Sequence, residues 1–263
     1  RLEELGLCDL AERFGSGLID LTSRANLQIR GVDENDHEAL LQELAALGLL
    51  QDDPELEGRR NILMTPLWQA AGDRSAMGRE RVRHPADLPA LPAKMGFAVD
   101  TGLAPMLQGN SADFRFERDA NGGLILRADG AALGRSVTRQ TALQAVLDMA
   151  EWFVQTGDVT NRRMASHLEK ATLPVDWTNT APAAQAEALV PGSAGEHHIY
   201  GAAFGQIEAG AMRQLLHNSA AKAIRVTPWR LVLLEGAAQA AVPLLIAQAL
   251  LLGRFTEMNR RWD

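Results

Sequence analysis

A helix followed by two alternating strands occurs twice in this chain, and the spacing between the copies constrains the fold more than any other feature. Thr22 falls on Thr227, an offset of 205 positions, and the same offset puts Ile19 on Ile224 and Gly31 on Gly236. Leu21 meets Val226, Leu27 meets Val232, Ile29 meets Leu234 and Leu10 meets Leu215, so the apolar phase agrees on both sides of the identities. In the first copy Leu7, Leu10 and Ala11 share a helical face, which Gly15–Gly17 terminate. Residues 18–22 then alternate as a strand does, and residues 26–30 alternate again, with Leu27 and Ile29 on one face. In the second copy residues 209–218 form the helix, with Met212, Leu215 and Leu216 inward. Residues 223–234 read as a strand pair or one long bent strand, and residues 199–204 as a strand ahead of them.

Matching phase at a fixed offset indicates a duplicated helix–strand–strand unit. It implies an α+β fold in which two ferredoxin-like halves pair about a pseudo-twofold axis, with an intervening α/β region hanging off them. The expected divisions are a first half at 1–68, a middle α/β domain at 69–177, a linker at 178–195, a second half at 196–237, and an apolar helix at 238–263. Asp36 is expected to cap a helix with Leu40, Leu41, Leu44 and Leu47 in one stripe and Gly48 at its end. Residues 49–110 are loop-rich and hold six prolines, and long loops in a compact domain are usually functional. Phe114 and Phe116 alternate with Arg115 and Glu117; Asn121-Gly122-Gly123 turns the chain, and residues 124–126 return as a hairpin. A helix capped by Thr138 buries Leu143, Val146, Leu147, Ala150, Phe153 and Val154 and stops at Gly157. A second helix covers residues 161–170.

The 263 residues are enough for two modest domains. A net charge of −7 argues against a nucleic-acid partner and requires any anionic ligand to be held by a local basic cluster. The single cysteine, Cys8, allows no disulfide within the chain and fits a reducing cytoplasm. Residues 236–253 are uncharged, but Gln239, Gln248 and Pro243 interrupt them, so a buried or partner-facing helix is expected and a membrane span is not.

The segment from Thr22 to Gly31 places Arg24 at the strand connection and Asn26, Gln28 and Arg30 on one strand face, opposite the apolar face. Two amides and a guanidinium in a row suit an oxygen-rich ligand, since guanidinium binds carboxylates in bidentate fashion. The same residues fit the solvated face of an amphipathic strand. Arg59 and Arg60 precede Asn61 and an apolar strand at 62–64. Arg74, Arg79, Arg81 and Arg83 give the following loop a basic cast, and Lys94 ends a proline-stiffened segment. These fit an anion site or solvated surface charge. His197 and His198 point to opposite strand faces and cannot easily share a metal ion.

Residues 22–32, T-S-R-A-N-L-Q-I-R-G-V, resemble the T-T-R-Q-N-x-Q-I-R-G-V element of nitrite and sulfite reductases. Arg60-Asn61 with Pro66 resembles that superfamily's R-N-x-x-x-N-P element, and residues 91–94, L-P-A-K, its L-P-R-K element. Residues 17–30, the Ala203-Phe204-Gly205-Gln206 stretch and Thr227-Pro228-Trp229-Arg230 look most like the precorrin-3B synthase branch. The resemblance spans roughly residues 5–237. It implies an oxidoreductase that hydroxylates precorrin-3A with dioxygen and closes a lactone in cobalamin biosynthesis, drawing on a separate electron donor. It also implies tetrapyrrole-binding roles for Arg24, Asn26, Gln28, Arg30, Arg60, Asn61 and Lys94; no catalytic residue and no metal ligand is assigned. A full-length relative is expected to carry a 4Fe–4S cluster and a non-haem iron. The superfamily's cluster cysteines, C-x5-C and C-x3-C after the second half, have no counterpart here, so the chain is read as truncated or altered before them. Gly96 stands where sulfite reductases carry a second lysine. Two alternatives accompany this reading. One is a sirohaem-dependent nitrite or sulfite reductase. The other is a cluster-free tetrapyrrole-binding scaffold or subunit, with the apolar stretch at 244–252 facing a partner.

Overall fold

A computed structural model describes residues 2–50, 61–67, 88–102, 104–157, 162–194, 197–219 and 221–237. In chain order the elements are α1 (Leu2–Phe14), β1 (Leu18–Leu21), β2 (Leu27–Ile29), α2 (His37–Ala46), β3 (Ile62–Met64), β4 (Phe97–Val99), β5 (Phe114–Arg118), β6 (Leu124–Ala128) and β7 (Arg135–Val137). They continue with α3 (Ala142–Thr156), α4 (Met164–Leu168), β8 (Gly192–Ala194), β9 (His197–Gly201), β10 (Gln206–Glu208), α5 (Ala209–Ser219), β11 (Ala223–Val226) and β12 (Leu231–Glu235). The chain is α+β and divides into two compact units, Arg1–Asp52 with Leu189–Asp263, and Asp53–Ala188.

The first unit contains both copies of the repeat. β1 and β2 pair antiparallel through Ile19–Ile29, Asp20–Gln28 and Leu21–Leu27. β11 and β12 pair through Ile224–Leu234, Arg225–Leu233 and Val226–Val232, the same register displaced by the repeat offset. The two turns are closed by the same three bonds. Thr22 N–H donates to Asn26 O (2.9 Å), Ala25 N–H to Thr22 O (3.0 Å) and Asn26 N–H to Thr22 Oγ1 (3.1 Å). Thr227 N–H donates to Leu231 O (3.0 Å), Arg230 N–H to Thr227 O (3.3 Å) and Leu231 N–H to Thr227 Oγ1 (3.1 Å). Both turns place a non-glycine residue in the left-handed region, Ala25 at φ 57 and Arg230 at φ 61. Even a cross-strand ion pair is repeated with its charges exchanged. Arg30 on Asp20 corresponds to Arg225 on Glu235.

The apolar faces of the two hairpins share one core with α1 and α5. Leu7, Cys8, Ala11, Ile19 and Leu21 pack with Met212, Leu215, Leu216, Val232 and Leu234. Arg213 of α5 adds ion pairs to Asp9 and Glu12 of α1 on the exposed side. Burying this set on one interface stabilises the unit by about 25 cal/mol per Å2 of apolar surface removed from water. The strands form two sheets, ordered β10-β1-β2 and β11-β12-β9-β8. Asp36, expected to cap α2, occupies the cap position without a side-chain bond; Asp33 does the capping one turn earlier, accepting from Asn35 N–H at 2.9 Å.

The second unit is a five-stranded sheet, β3-β4-β5-β6-β7, parallel across β3–β5 and antiparallel from β5 to β7. Phe114, Phe116 and Leu126 pack against Val146, Met149, Ala150 and Phe153 of α3. Val154, expected inward, is 46% exposed, because the helix turns its buried stripe through Met149 instead. Arg115 and Glu117 alternate with the two phenylalanines, yet both are buried. Their charges are matched within the unit. Arg127 makes a two-pronged bond to Glu117 (2.6 and 2.7 Å), and Arg115 reaches Asp129, Leu107 O and Asn110 O. The second helix is shorter than expected, only α4. Nor is 178–195 a plain connector. Thr180 exchanges backbone bonds with Gly134 (2.8 and 3.0 Å), and Ala183 N–H donates to Arg118 O (2.7 Å), so residues 180–186 strap the sheet. Residues 192–194 are already β8. The apolar stretch at 238–263 and the arginines at 59, 60, 74, 79, 81 and 83 lie outside the described residues. Among the described residues, no helix is long and apolar enough to cross a membrane.

Candidate functional site

The first hairpin places Arg24, Asn26, Gln28 and Arg30 as period-two alternation requires. Asn26, Gln28 and Arg30 are exposed, while Leu27 and Ile29 between them turn toward the core. Arg24 sits at the turn, half-buried, with its backbone N–H on Thr22 Oγ1 at 3.3 Å. Its guanidinium has no hydrogen-bond or ion-pair partner among the described residues. Arg30 is different. Its Nε lies 2.5 Å from Asp20 Oδ2 on the neighbouring strand, so part of its capacity for an anion is already taken. Asp20 also accepts from Gln206 Nε2 at 2.8 Å. The Gln206 amide, followed by Arg30, holds the Asp20 carboxyl below its ordinary range, so it stays charged.

Asn61 and Lys94 belong to the second unit, at the amino ends of β3 and β4. Asn61 Nδ2 donates to Met95 O at 3.1 Å, and Asn61 O accepts from Phe97 N–H at 2.9 Å. Asn61 therefore ties β3 to the turn that enters β4. A Cβ on Gly96 would stand 2.7 Å from Asn61 Nδ2 and 3.0 Å from its Cγ. Glycine at 96 is thus the packing complement of Asn61. Lys94 is exposed beside the Pro92–Met95 turn and makes no hydrogen bond among the described residues. Arg60 lies outside the described residues.

Several polar residues at key positions carry no motif. Asp100 directly follows β4 and Thr65 directly follows β3; continuing the register Met64–Val99 makes them neighbours. Both are 1% exposed, and both Thr65 Oγ1 and Asp100 Oδ1 lack a hydrogen-bond partner among the described residues. Asp100 Oδ2 accepts from Met106 and Leu107 N–H, each at 2.6 Å. Burial pushes the Asp100 carboxyl up to about 6, against those two amides; Glu117 adds to the rise and Arg115 opposes it. Asp113, fully buried, gathers Gly96 N–H, Arg163 Nε and Met164 N–H. An aspartate directly after an apolar strand, as in Phe97-Ala98-Val99-Asp100, is the only sequence signal that marks Asp100.

This geometry has known counterparts. Residues 5–47 match the nitrite/sulfite reductase ferredoxin-like half domain. The chain resembles that superfamily. It is 27% identical over 252 residues to a precorrin-3B synthase from a Sinorhizobium species, an alignment covering 85% of this chain and 53% of that protein. The fold superposes on the NirA protein of Mycobacterium tuberculosis with a TM-score of 0.65 at 17% identity, over 95% of this chain and 54% of that one. The chain thus spans about half the length of each relative. Residues 5–47 contain most of α1 and all of β1, β2 and α2, so the matched half domain is the first copy of the repeat.

A 4Fe–4S cluster needs four thiolates. The sequence has one cysteine, and Cys8 is fully buried in the core shared by α1 and α5. These residues do not fit a cluster. Among the described residues, no group of three His, Cys, Asp or Glu side chains is placed to hold a single iron either.

Proposed function

We propose that this chain is a tetrapyrrole-binding portion of a precorrin-3B synthase-like oxidoreductase. The substrate in this reading is precorrin-3A, hydroxylated at a meso carbon with dioxygen and closed to a lactone through a ring acetate. The observation that carries it is the half-buried Arg24, without a side-chain partner among the described residues, at a hydrogen-bonded hairpin turn beside the exposed Asn26, Gln28 and Arg30 face, within a region resembling the synthase named above. Such a face suits a ligand with many acetates and propionates. A charge-assisted bond to one carboxylate is worth roughly 1.5–3 kcal/mol. What this chain supplies is binding and orientation; no redox step is assigned to its residues, because they do not fit the cluster. A cytoplasmic location and a separate electron donor belong to the same reading.

Gly96 bears on the alternatives. A lysine there would drive its Cβ into the Asn61 amide, so the second lysine of a sulfite reductase cannot be accommodated without rearranging Asn61. That counts against the sirohaem nitrite or sulfite reductase. Cys8, buried among apolar side chains, favours a cluster-free tetrapyrrole-binding scaffold as the second reading.

The test is competitive. The purified chain is titrated anaerobically with a colourless, reduced, carboxylate-bearing tetrapyrrole and, separately, with sirohaem. Preference for the reduced tetrapyrrole supports the proposal. Preference for sirohaem, read from its intense visible bands, supports a reductase instead, and binding of neither removes both.

A further inference from the structure

Two motifs of the second repeat, residues 203–206 and 227–230, contribute only Gln206 to the site described above, yet the fold brings them together on the first repeat's polar face. Gly205 lies under the Arg230 side chain. A Cβ at 205 would stand 2.6 Å from Arg230 Cδ and 2.9 Å from Cγ, so only glycine leaves this track open. Ala202 N–H donates to Arg230 O at 3.3 Å and fixes the same approach. Gln206, next along the chain, donates to Asp20, whose other oxygen takes Arg30. Arg230 is near enough for its charge to help keep Asp20 ionised.

Arg230 is an unusual occupant of its turn. At φ 61 it takes the left-handed conformation that Ala25 takes in the first turn, but with a guanidinium where the first copy has a methyl group. That guanidinium is exposed and forms no hydrogen bond among the described residues. Phe204, preceding Gly205, is 56% exposed. The cluster therefore offers one open guanidinium, a second partly occupied by Asp20, an amide and an exposed aromatic ring.

We propose that Arg230, with Arg30 and Gln206 around Asp20, is a carboxylate-binding site, and that Phe204 stacks on the flat body of the molecule carrying that carboxylate. The ligand class is a ring-shaped polycarboxylate, and this choice rests on the tetrapyrrole reading above. Arg230 takes the carboxylate in two-pronged fashion. Asp20 competes with the incoming carboxylate for Arg30, so it acts as an internal counter-ion that the ligand displaces.

The probes are coproporphyrin, a planar tetracarboxylate, followed by fluorescence, and citrate, followed by the shift of arginine Nε resonances. Arg230→Gln should weaken coproporphyrin binding by about tenfold or more, the range for a lost charge-assisted bond. Arg230→Lys, which keeps the charge and loses the fork, should fall between. Asp20→Asn should tighten binding by about threefold or more by freeing Arg30, an effect no structural role for Asp20 would give. If coproporphyrin binds and Arg230→Gln stays within about twofold of the parent, the site is overturned and the tetrapyrrole reading stands. If only citrate binds, and Arg230→Gln abolishes it, the site stands and the tetrapyrrole reading falls. If neither binds, both fall.

Discussion

Asp100 shows how one residue links burial to chemistry. Its carboxyl titrates near 6 in the fold against an ordinary 3.8, with desolvation as the main cause. The native state therefore holds this proton more tightly than the unfolded chain does. Its contribution to stability is fully present below about pH 3.8 and declines as pH rises through 6. Roughly two units correspond to about 3 kcal/mol across that window. Asp100→Asn keeps an acceptor for Met106 and Leu107 N–H and removes the titration. Denaturant unfolding of the variant between pH 4 and 7.5 should lack the decline that Asp100 gives the parent; equal slopes would contradict the assignment. Asp100 was not legible in the sequence because its character comes from burial and from amides six and seven residues ahead. Asp20 escaped notice for a similar reason: the strand pattern placed Arg30 on the polar face and said nothing of its neighbour across the ladder.

The hairpins make the element-scale case. Thr22 and Thr227 perform the same task in two environments. Thr227 is fully buried, whereas Thr22 is half-exposed. Water can replace the lost hydroxyl at 22 and cannot at 227. Thr227→Ala should therefore cost about 1–3 kcal/mol and Thr22→Ala about 0.5–1 kcal/mol, measured by chemical denaturation. Equal costs would mean that the turns are not equivalent in the way their bonds indicate. Gly96 gives a second element-scale prediction. Gly96→Lys should destabilise by about 1–3 kcal/mol through overpacking, and Asn61→Gly in the same chain should recover part of that loss. Lack of recovery would show that Asn61 is not the obstacle. These turns were legible because apolar phase repeats every two residues and threonine and glycine recur at the repeat offset. The strap at 180–186 was not, because Ala, Pro and Thr composition does not reveal which carbonyls a segment will meet.

At the scale of the whole chain, duplication explains why an acidic α+β chain can present basic groups in a defined place. Two hairpins share one core, so each turn is held by the other copy's helix as well as its own. The duplicated α+β plan was legible from the repeat and the motif at residues 22–32. Of the anticipated binding residues, Arg24, Asn26, Gln28 and Arg30 fall in one unit, while Asn61 and Lys94 fall in the other. Periodicity could assign each to a strand or turn; it could not foresee that Asn61 would be spent on Met95 and Phe97. Above all, the Arg24 face is proposed to bind tetrapyrrole carboxylates. Its most direct test is an anaerobic calorimetric titration of the chain and of Arg24→Ala with a reduced tetracarboxylate tetrapyrrole. Saturable binding is expected, weakened by about 1.5–3 kcal/mol in Arg24→Ala. Saturable binding with unchanged affinity in the variant, or no binding by the parent chain, would contradict it.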